Sequence, residues 1–392
     1  MQNTPDREEL VKRARAVQPL VRRHAPWQEE NRRLHDEVVE ALDETGVFRM
    51  RVPARYGGYE SDALTMAEVA AALAHADGAT AWTASVSWIP TWMVGMFPDH
   101  VQEEVFSTHG GRVCGTLSPS AMAEPTEGGF TVNGRWGFIS GAPNSHWQEV
   151  IALAPTPDGA DRYPVVALVP MSDLRIMDDW HAVGLRGSGS VSTVAENVFV
   201  PAERVLPLMS VLKGESASEA NRELPMYRAP LLAVAAAASV GTPTGLAEAA
   251  LELFLERAGE RGITYTDYAR QVDAPITHLQ VAEASLKTDQ ARFHGERTAR
   301  LLDGKGALGE EWSLRERARC RVDVAAVCKL AKETVTVLGE ASGGRSVYTD
   351  VPMQRIVRDV GALNLHALMY PETGFELYGR VLCGLEPNTL YV

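Results

Sequence analysis

The stretch that decides the fold is Asn133-Gly134-Arg135-Trp136-Gly137-Phe138-Ile139-Ser140-Gly141. Phe130-Thr131-Val132 before it and Arg135-Trp136-Gly137-Phe138 within it alternate as half-buried strands do, and the Asn133-Gly134 pair between them predicts a tight hairpin. Side chains two apart leave a strand on one face, so Phe138 and Ser140 are placed to address the same flat ring with an aromatic and a hydroxyl. An ordinary hairpin with a buried aromatic face has the same local pattern.

Outward from that stretch, residues 112 to 207 keep a strand texture of Val, Phe, Trp and Thr runs broken by turn residues. Residues 149–154 and 164–169 bracket a turn-rich segment as a second hairpin, and 190–201 supply another strand. Upstream, Leu10, Ala14, Val17 and Val21 recur at the spacing of one buried helix face, as do Met66, Val69, Ala70 and Leu73. Downstream of a polar stretch at 213–222, helical spacing returns in Val324, Val327, Ala331, Val335 and Leu338, with Gly339 placed to cap the helix. The expected fold class is therefore α+β: an N-terminal helical domain at 1–111, a central β-barrel or sandwich domain at 112–212, and a C-terminal helical bundle at 213–392.

With 45% hydrophobic and 23% charged residues among 392, the chain has the composition of a globular protein with a sizeable core. A net charge of -13 without a basic cluster argues against nucleic acid as a partner. Cys114, Cys320, Cys328 and Cys383 lack the close pairs of a metal site or redox dithiol, so no metal is expected. The charged opening segment lacks an export core, and no run reaches the roughly 20 apolar residues of a membrane span. A cytoplasmic enzyme with no membrane partner is the expectation.

Several marks fall in an order that resembles the acyl-CoA dehydrogenase superfamily across almost the whole chain. They are the 133–141 run, Asp179-Trp180 before Gly184-Leu185-Arg186-Gly187-Ser188-Gly189-Ser190, the strand end Val198-Phe199-Val200-Pro201, Gly343-Gly344, and Arg358-Asp359. The resemblance implies that Trp136 and Phe138 lie at the flavin, that Ser140 hydrogen-bonds flavin N5, and that Ser118 and its neighbours meet the pyrimidine edge. It also implies that Arg261 reaches a cofactor across a subunit boundary near Gly343, in a homotetramer built as a dimer of dimers. Gly262-Ile263-Thr264 after Arg261 departs from the family pattern, which leaves FAD or FMN open.

Dehydrogenases of this family carry a glutamate base eight residues after the Arg-Asp pair, where this chain has Ala367, preceded by His366. A thioester α-carbon needs a strong, aligned base, so that reading is weakened. The pattern instead resembles the reduced-flavin-dependent monooxygenases of the same fold. These are oxygenase components that take FADH2 or FMNH2 from a separate NAD(P)H:flavin reductase, form a flavin 4a-hydroperoxide with O2, and hydroxylate an aromatic or heteroaromatic small molecule. In that scheme His366 is the acid or base and Ser140 protects N5. Trp82, Ser85, Trp88 and Trp92, at near-helical spacing, are candidate walls for a flat substrate. An acyl-CoA dehydrogenase with another base, an N-hydroxylase of an amine or amino sugar, and a non-catalytic flavin binder are the alternatives.

Overall fold

Asp6, His35, Asp62 and Asp77 each accept a backbone N–H from the first turn of the helix that follows, satisfying donors that a helix start leaves orphaned. The computed structural model describes residues 4–107 and 111–392, so the first three residues of the opening segment lie outside the described residues. The N-terminal part holds α1 (Arg7–Ala16), α2 (Gln18–Asn31), α3 (Asp36–Thr45), α4 (Ala63–Ala74), α5 (Gly78–Val94) and α6 (Asp99–Ser107). Leu10, Ala14 and Val21 are buried as their spacing predicts, whereas Val17 sits half-buried at the break between α1 and α2. All four residues of the expected α4 face are buried.

A seven-stranded sheet follows, formed by β1 (Val113–Thr126), β2 (Gly129–Ile139), β3 (Trp147–Pro155), β4 (Arg162–Pro170), β5 (Arg175–Ile176), β6 (Val191–Pro201) and β7 (Val205–Pro207). Its spatial order is β5-β6-β2-β1-β3-β4-β7, with β1 parallel to β3 and the other pairs antiparallel. The expected hairpin between β3 and β4 is present. The expected turn at Asn133-Gly134 is not: β2 runs straight through it, and the chain reverses at Glu127-Gly128, where Gly128 has φ 77°. Gly134 is there for close approach, since a Cβ would lie 2.3 Å from the Ala121 Cβ on β1.

The sheet separates two cores. Val132, Trp136, Val150 and Val165 pack within the β-rich part, while Trp147, Ile151 and Val166 join the larger helical core. That core is closed by α7 (Leu208–Lys213), α8 (Leu231–Ser239), α9 (Gly241–Ala258), α10 (Pro275–Leu308), α11 (Leu314–Ala341), α12 (Pro352–Leu363) and α13 (Pro371–Leu382). Gly339 does not end α11, which continues to Ala341; a Cβ at 339 would meet Val357 of α12 at 2.9 Å. Against the expectation of no such run, Leu231–Ala258 is long and apolar enough to cross a membrane, but 94% of its most apolar window is buried inside the fold.

Candidate active site

Ser140 stands just beyond β2, and its hydroxyl oxygen accepts the Trp82 indole N–H of α5 at 3.0 Å. It also lies 2.7 Å from the Ser190 hydroxyl, which in turn lies 2.7 Å from that of Ser188. Three hydroxyls thus form a row that begins at an indole donor. Each has one hydrogen and two lone pairs, so the row can hold or shift a proton at the Ser140 end without bringing in a charge. Sequence spacing gives no sign that Ser188 and Ser190 belong to this row.

Local backbone explains why Ser140 and Phe138 are presented. Trp136 and Phe138, two apart, should share a face, yet Trp136 is fully buried and donates to the Ile151 carbonyl at 2.9 Å. Phe138 adopts φ 62° where the β2–β6 register shifts, and its ring swings out to 75% exposure, edge-on to Trp180 at 6.1 Å. A bulky residue in the left-handed region is strained, and here the strain displays an aromatic ring. Trp136 is therefore a core residue of the sheet, and Phe138 is the exposed one.

The 184–190 run is gripped by the Arg358-Asp359 pair of α12. Arg358 donates to the Val183 carbonyl at 2.6 Å, and the Asp359 carboxyl accepts the Leu185 N–H at 2.6 Å. Glycine is required at 184, since a Cβ would come within 2.1 Å of the Arg358 carbonyl oxygen. Burial, with Asp77 nearby, pushes the Asp359 carboxyl up to about 7. On the other side, Asp179 pairs with Arg135 at 2.7 Å and accepts the Ser192 N–H at 2.8 Å. Two motifs far apart in sequence so fix the loop that carries Ser188 and Ser190.

His366 lies in the turn between α12 and α13, with its ring edge-on to Trp82 at 5.1 Å between centroids. The side chain keeps accessible surface, yet enough protein surrounds the ring that burial, followed by the charge of Arg321, pushes its pKa down to about 4. The Leu368 N–H points to Nδ1 at 3.3 Å, which leaves the hydrogen of the neutral ring on Nε2. The imidazole is thus arranged as a neutral N–H donor rather than as a ready base.

The other expected residues divide. Trp82 joins the cluster, but Trp88 and Trp92 are fully buried and donate to the carbonyls of Val47 and Met226. Ser85 is buried against the Trp82 carbonyl and Thr242. The half-buried face of α5 that continues from Trp82 carries Val86 and Ile89 instead. Ser118 is exposed in the irregular stretch of β1 where pairing with β3 shifts. Arg261 donates to the Ser342 carbonyl at the end of α11 and adjoins Gly343, which has φ 65°. Arg261 and Gly343 meet each other, and among the described residues no hydrogen bond, ion pair or ring contact links them to Ser140.

Glu149, on β3, is a residue that sequence patterning does not single out. It is 1% exposed, one carboxyl oxygen has no partner among the described residues, and burial pushes its pKa up to about 8. The only available sign is an acid, next to Gln148, in a strand that is otherwise apolar.

The residues fit a bound flavin. An exposed aromatic at a strained strand end, a neutral hydroxyl row and the exposed Ser118 in the irregular stretch of β1 offer a ring contact and polar contacts to one flat ligand.

Comparison with known proteins supports the same family. Residues 4–106 match the N-terminal domain of acyl-CoA dehydrogenase, and residues 234–371 match its C-terminal domain. The chain is 31% identical to the flavin-dependent monooxygenase oxygenase subunit HsaA of Rhodococcus jostii (strain RHA1), over 96% of this chain and 98% of that one. It is 30% identical to the oxygenase component of an FADH(2)-dependent resorcinol hydroxylase of Rhizobium sp. (strain MTP-10005), over 97% and 96% of the two chains. The solved structure of XiaF from Streptomyces sp., in complex with FADH2 and glycerol, superposes with a TM-score of 0.91 at 29% identity, covering 98% of this chain and 97% of that one. The chain belongs to the oxygenase subunits of the flavin-dependent monooxygenases built on the acyl-CoA dehydrogenase fold.

Proposed function

We propose that this oxygenase takes FADH2 or FMNH2 from a separate NAD(P)H:flavin reductase and hydroxylates an aromatic or heteroaromatic small molecule. The observation that carries the reading is the joint placement of Trp82, Ser140 and His366, with the exposed Phe138 two residues before Ser140. Related oxygenases named for resorcinol and p-hydroxyphenylacetate support an aromatic substrate. When bound, reduced flavin supplies two electrons, so that one atom of O2 enters the substrate and the other leaves as water.

The chain's own residues do the rest. Phe138 offers its ring to the flavin face, and Ser140, held by Trp82 and backed by Ser190 and Ser188, holds a proton at the ring's polar edge. Trp82, Val86 and Ile89 line the apolar side, which favours a flat substrate and excludes water. His366 donates its Nε2 hydrogen to a substrate oxygen and orients it. The dehydrogenase alternative lacks its base, because Ala367 stands at the family's glutamate position.

The active form is a cytoplasmic homotetramer in which Arg261 and Gly343 of one subunit face the flavin of another. Supporting this, α10 exposes Ile276, Leu279, Leu286 and Phe293, the last three a heptad apart on one stripe. Supplying enzymatically reduced flavin, O2 and simple phenols tests the function: hydroxylated product is expected, and peroxide alone with every substrate contradicts it. Light scattering tests the assembly, with a monomer contradicting it.

A further inference from the structure

After α13 the chain runs from Cys383 to Val392 without regular secondary structure, and most side chains from Leu382 to Leu390 are exposed. From Leu385 on it is held to α13 by hydrogen bonds: the Leu385 N–H on the Arg380 carbonyl at 2.9 Å, the Arg380 guanidinium on the Glu386 carbonyl at 3.1 Å and the Asn388 amide on Glu376 at 3.2 Å. Tyr391 is different. Its hydroxyl donates to the Leu117 carbonyl of β1 at 2.8 Å, across 274 residues, and its own carbonyl accepts from buried Arg321 of α11 at 2.9 Å.

Both anchors adjoin the site. Leu117 immediately precedes Ser118, in the irregular stretch of β1, and Arg321 is the charge that acts on His366. Burial of Tyr391, with Glu149 close by, raises the phenol's pKa, so the hydroxyl keeps the hydrogen that Leu117 receives. One residue therefore joins the sheet, through its hydroxyl at the proposed flavin edge, to the bundle, through its backbone carbonyl at the proposed substrate edge.

We propose that Tyr391 is a positioning residue that latches the segment after α13 between β1, next to Ser118, and the Arg321 that acts on His366, limiting the entry of water to the site. The proposal rests on the functional reading above for what the closure protects, but not for the latch itself. A segment whose side-chain tie to the sheet is the Tyr391 hydroxyl can be released from β1 to let ligands in and re-seated at the cost of about one hydrogen bond.

Tyr391→Phe removes only the O–H. Hydrogen exchange of residues 384–392 is measured by mass spectrometry in the protein without flavin, for the wild type, Tyr391→Phe and Asn388→Ala. The share of reduced flavin returned as hydroxylated product or as hydrogen peroxide is measured in parallel. The latch predicts about fivefold faster exchange in Tyr391→Phe, the factor corresponding to about 1 kcal/mol, and a shift from product to peroxide at unchanged melting temperature. Asn388→Ala should loosen the segment without that shift. Unchanged exchange in Tyr391→Phe overturns the latch, and faster exchange with an unchanged product share overturns closure. If the wild type makes no hydroxylated product from any aromatic, the functional reading fails while the exchange comparison still decides the latch.

Discussion

The indole N–H of Trp82 and the hydroxyl of Ser140 meet at 3.0 Å, joining α5 to the end of β2. Trp82 also presents its ring to His366 at 5.1 Å, so one tryptophan holds the proposed flavin contact on one side and the proposed substrate contact on the other. Removing the Ser140 hydroxyl leaves the Trp82 N–H and the Ser190 hydroxyl short of a partner. Ser140→Ala should lower hydroxylated product per reduced flavin at least about tenfold, the factor set by about 1.4 kcal/mol, with peroxide rising to match. Wild-type product yield would remove Ser140 from the site.

The tryptophans of α5 should separate by phenotype. Trp92→Phe takes from the Met226 carbonyl its shorter donor and leaves it only the Arg51 guanidinium at 3.4 Å, which costs about 0.5–1.5 kcal/mol of stability, and it should leave KM for the aromatic substrate unchanged. Trp82→Phe should instead redistribute oxygen between product and peroxide. Thermal melts and steady-state kinetics on both variants check this, and an equal KM change in the two would mean that both faces of α5 meet the substrate.

His366 should not titrate in the working range. Its pKa is pushed down to about 4, so the ring is neutral above that value and gains charge only as the pH falls through it. Product formation should therefore show no acidic limb near the ordinary histidine value of about 6.5. His366→Gln, which keeps an N–H donor, should retain more activity than His366→Ala. A limb near neutrality that disappears in His366→Gln would show a ring that titrates normally and acts as a base.

Glu149 enters the fold protonated. Its folded pKa, about 8, lies above the ordinary carboxyl value, so its favourable state is fully present below the unfolded pKa and is lost as pH rises through about 8. Glu149→Gln keeps the size and removes the ionisation. The melting temperature of the variant relative to wild type should rise between about pH 5 and about pH 8 and level off above that. A difference that does not change with pH would mean that the carboxylate is ionised and paired.

How much of this was legible depends on the range of the cause. Ser140 and Phe138 are readable because alternation and local composition mark a strand end within nine residues, and His366 because it holds a fixed place after Arg358-Asp359. The Asn133-Gly134 turn was misread because glycine serves two needs. Gly128 supplies the positive φ of the reversal, while Gly134 supplies room for β1. Spacing alone makes Trp82, Ser85, Trp88 and Trp92 one helix, but only packing against the sheet and Met226 decides which face turns inward. The serine row, the grip of Asp359 on Leu185 and the Arg261–Ser342 contact join residues too distant in sequence for periodicity to pair them.

The most direct test of the central claim uses isotopically labelled O2 with separately reduced FAD or FMN and a panel of phenols and heteroaromatics. One labelled oxygen atom per molecule of hydroxylated product, with the flavin returned oxidised, is the predicted result. Unlabelled substrate with all the label in hydrogen peroxide across the panel, or oxidation of an acyl thioester with no oxygen incorporated, would contradict it.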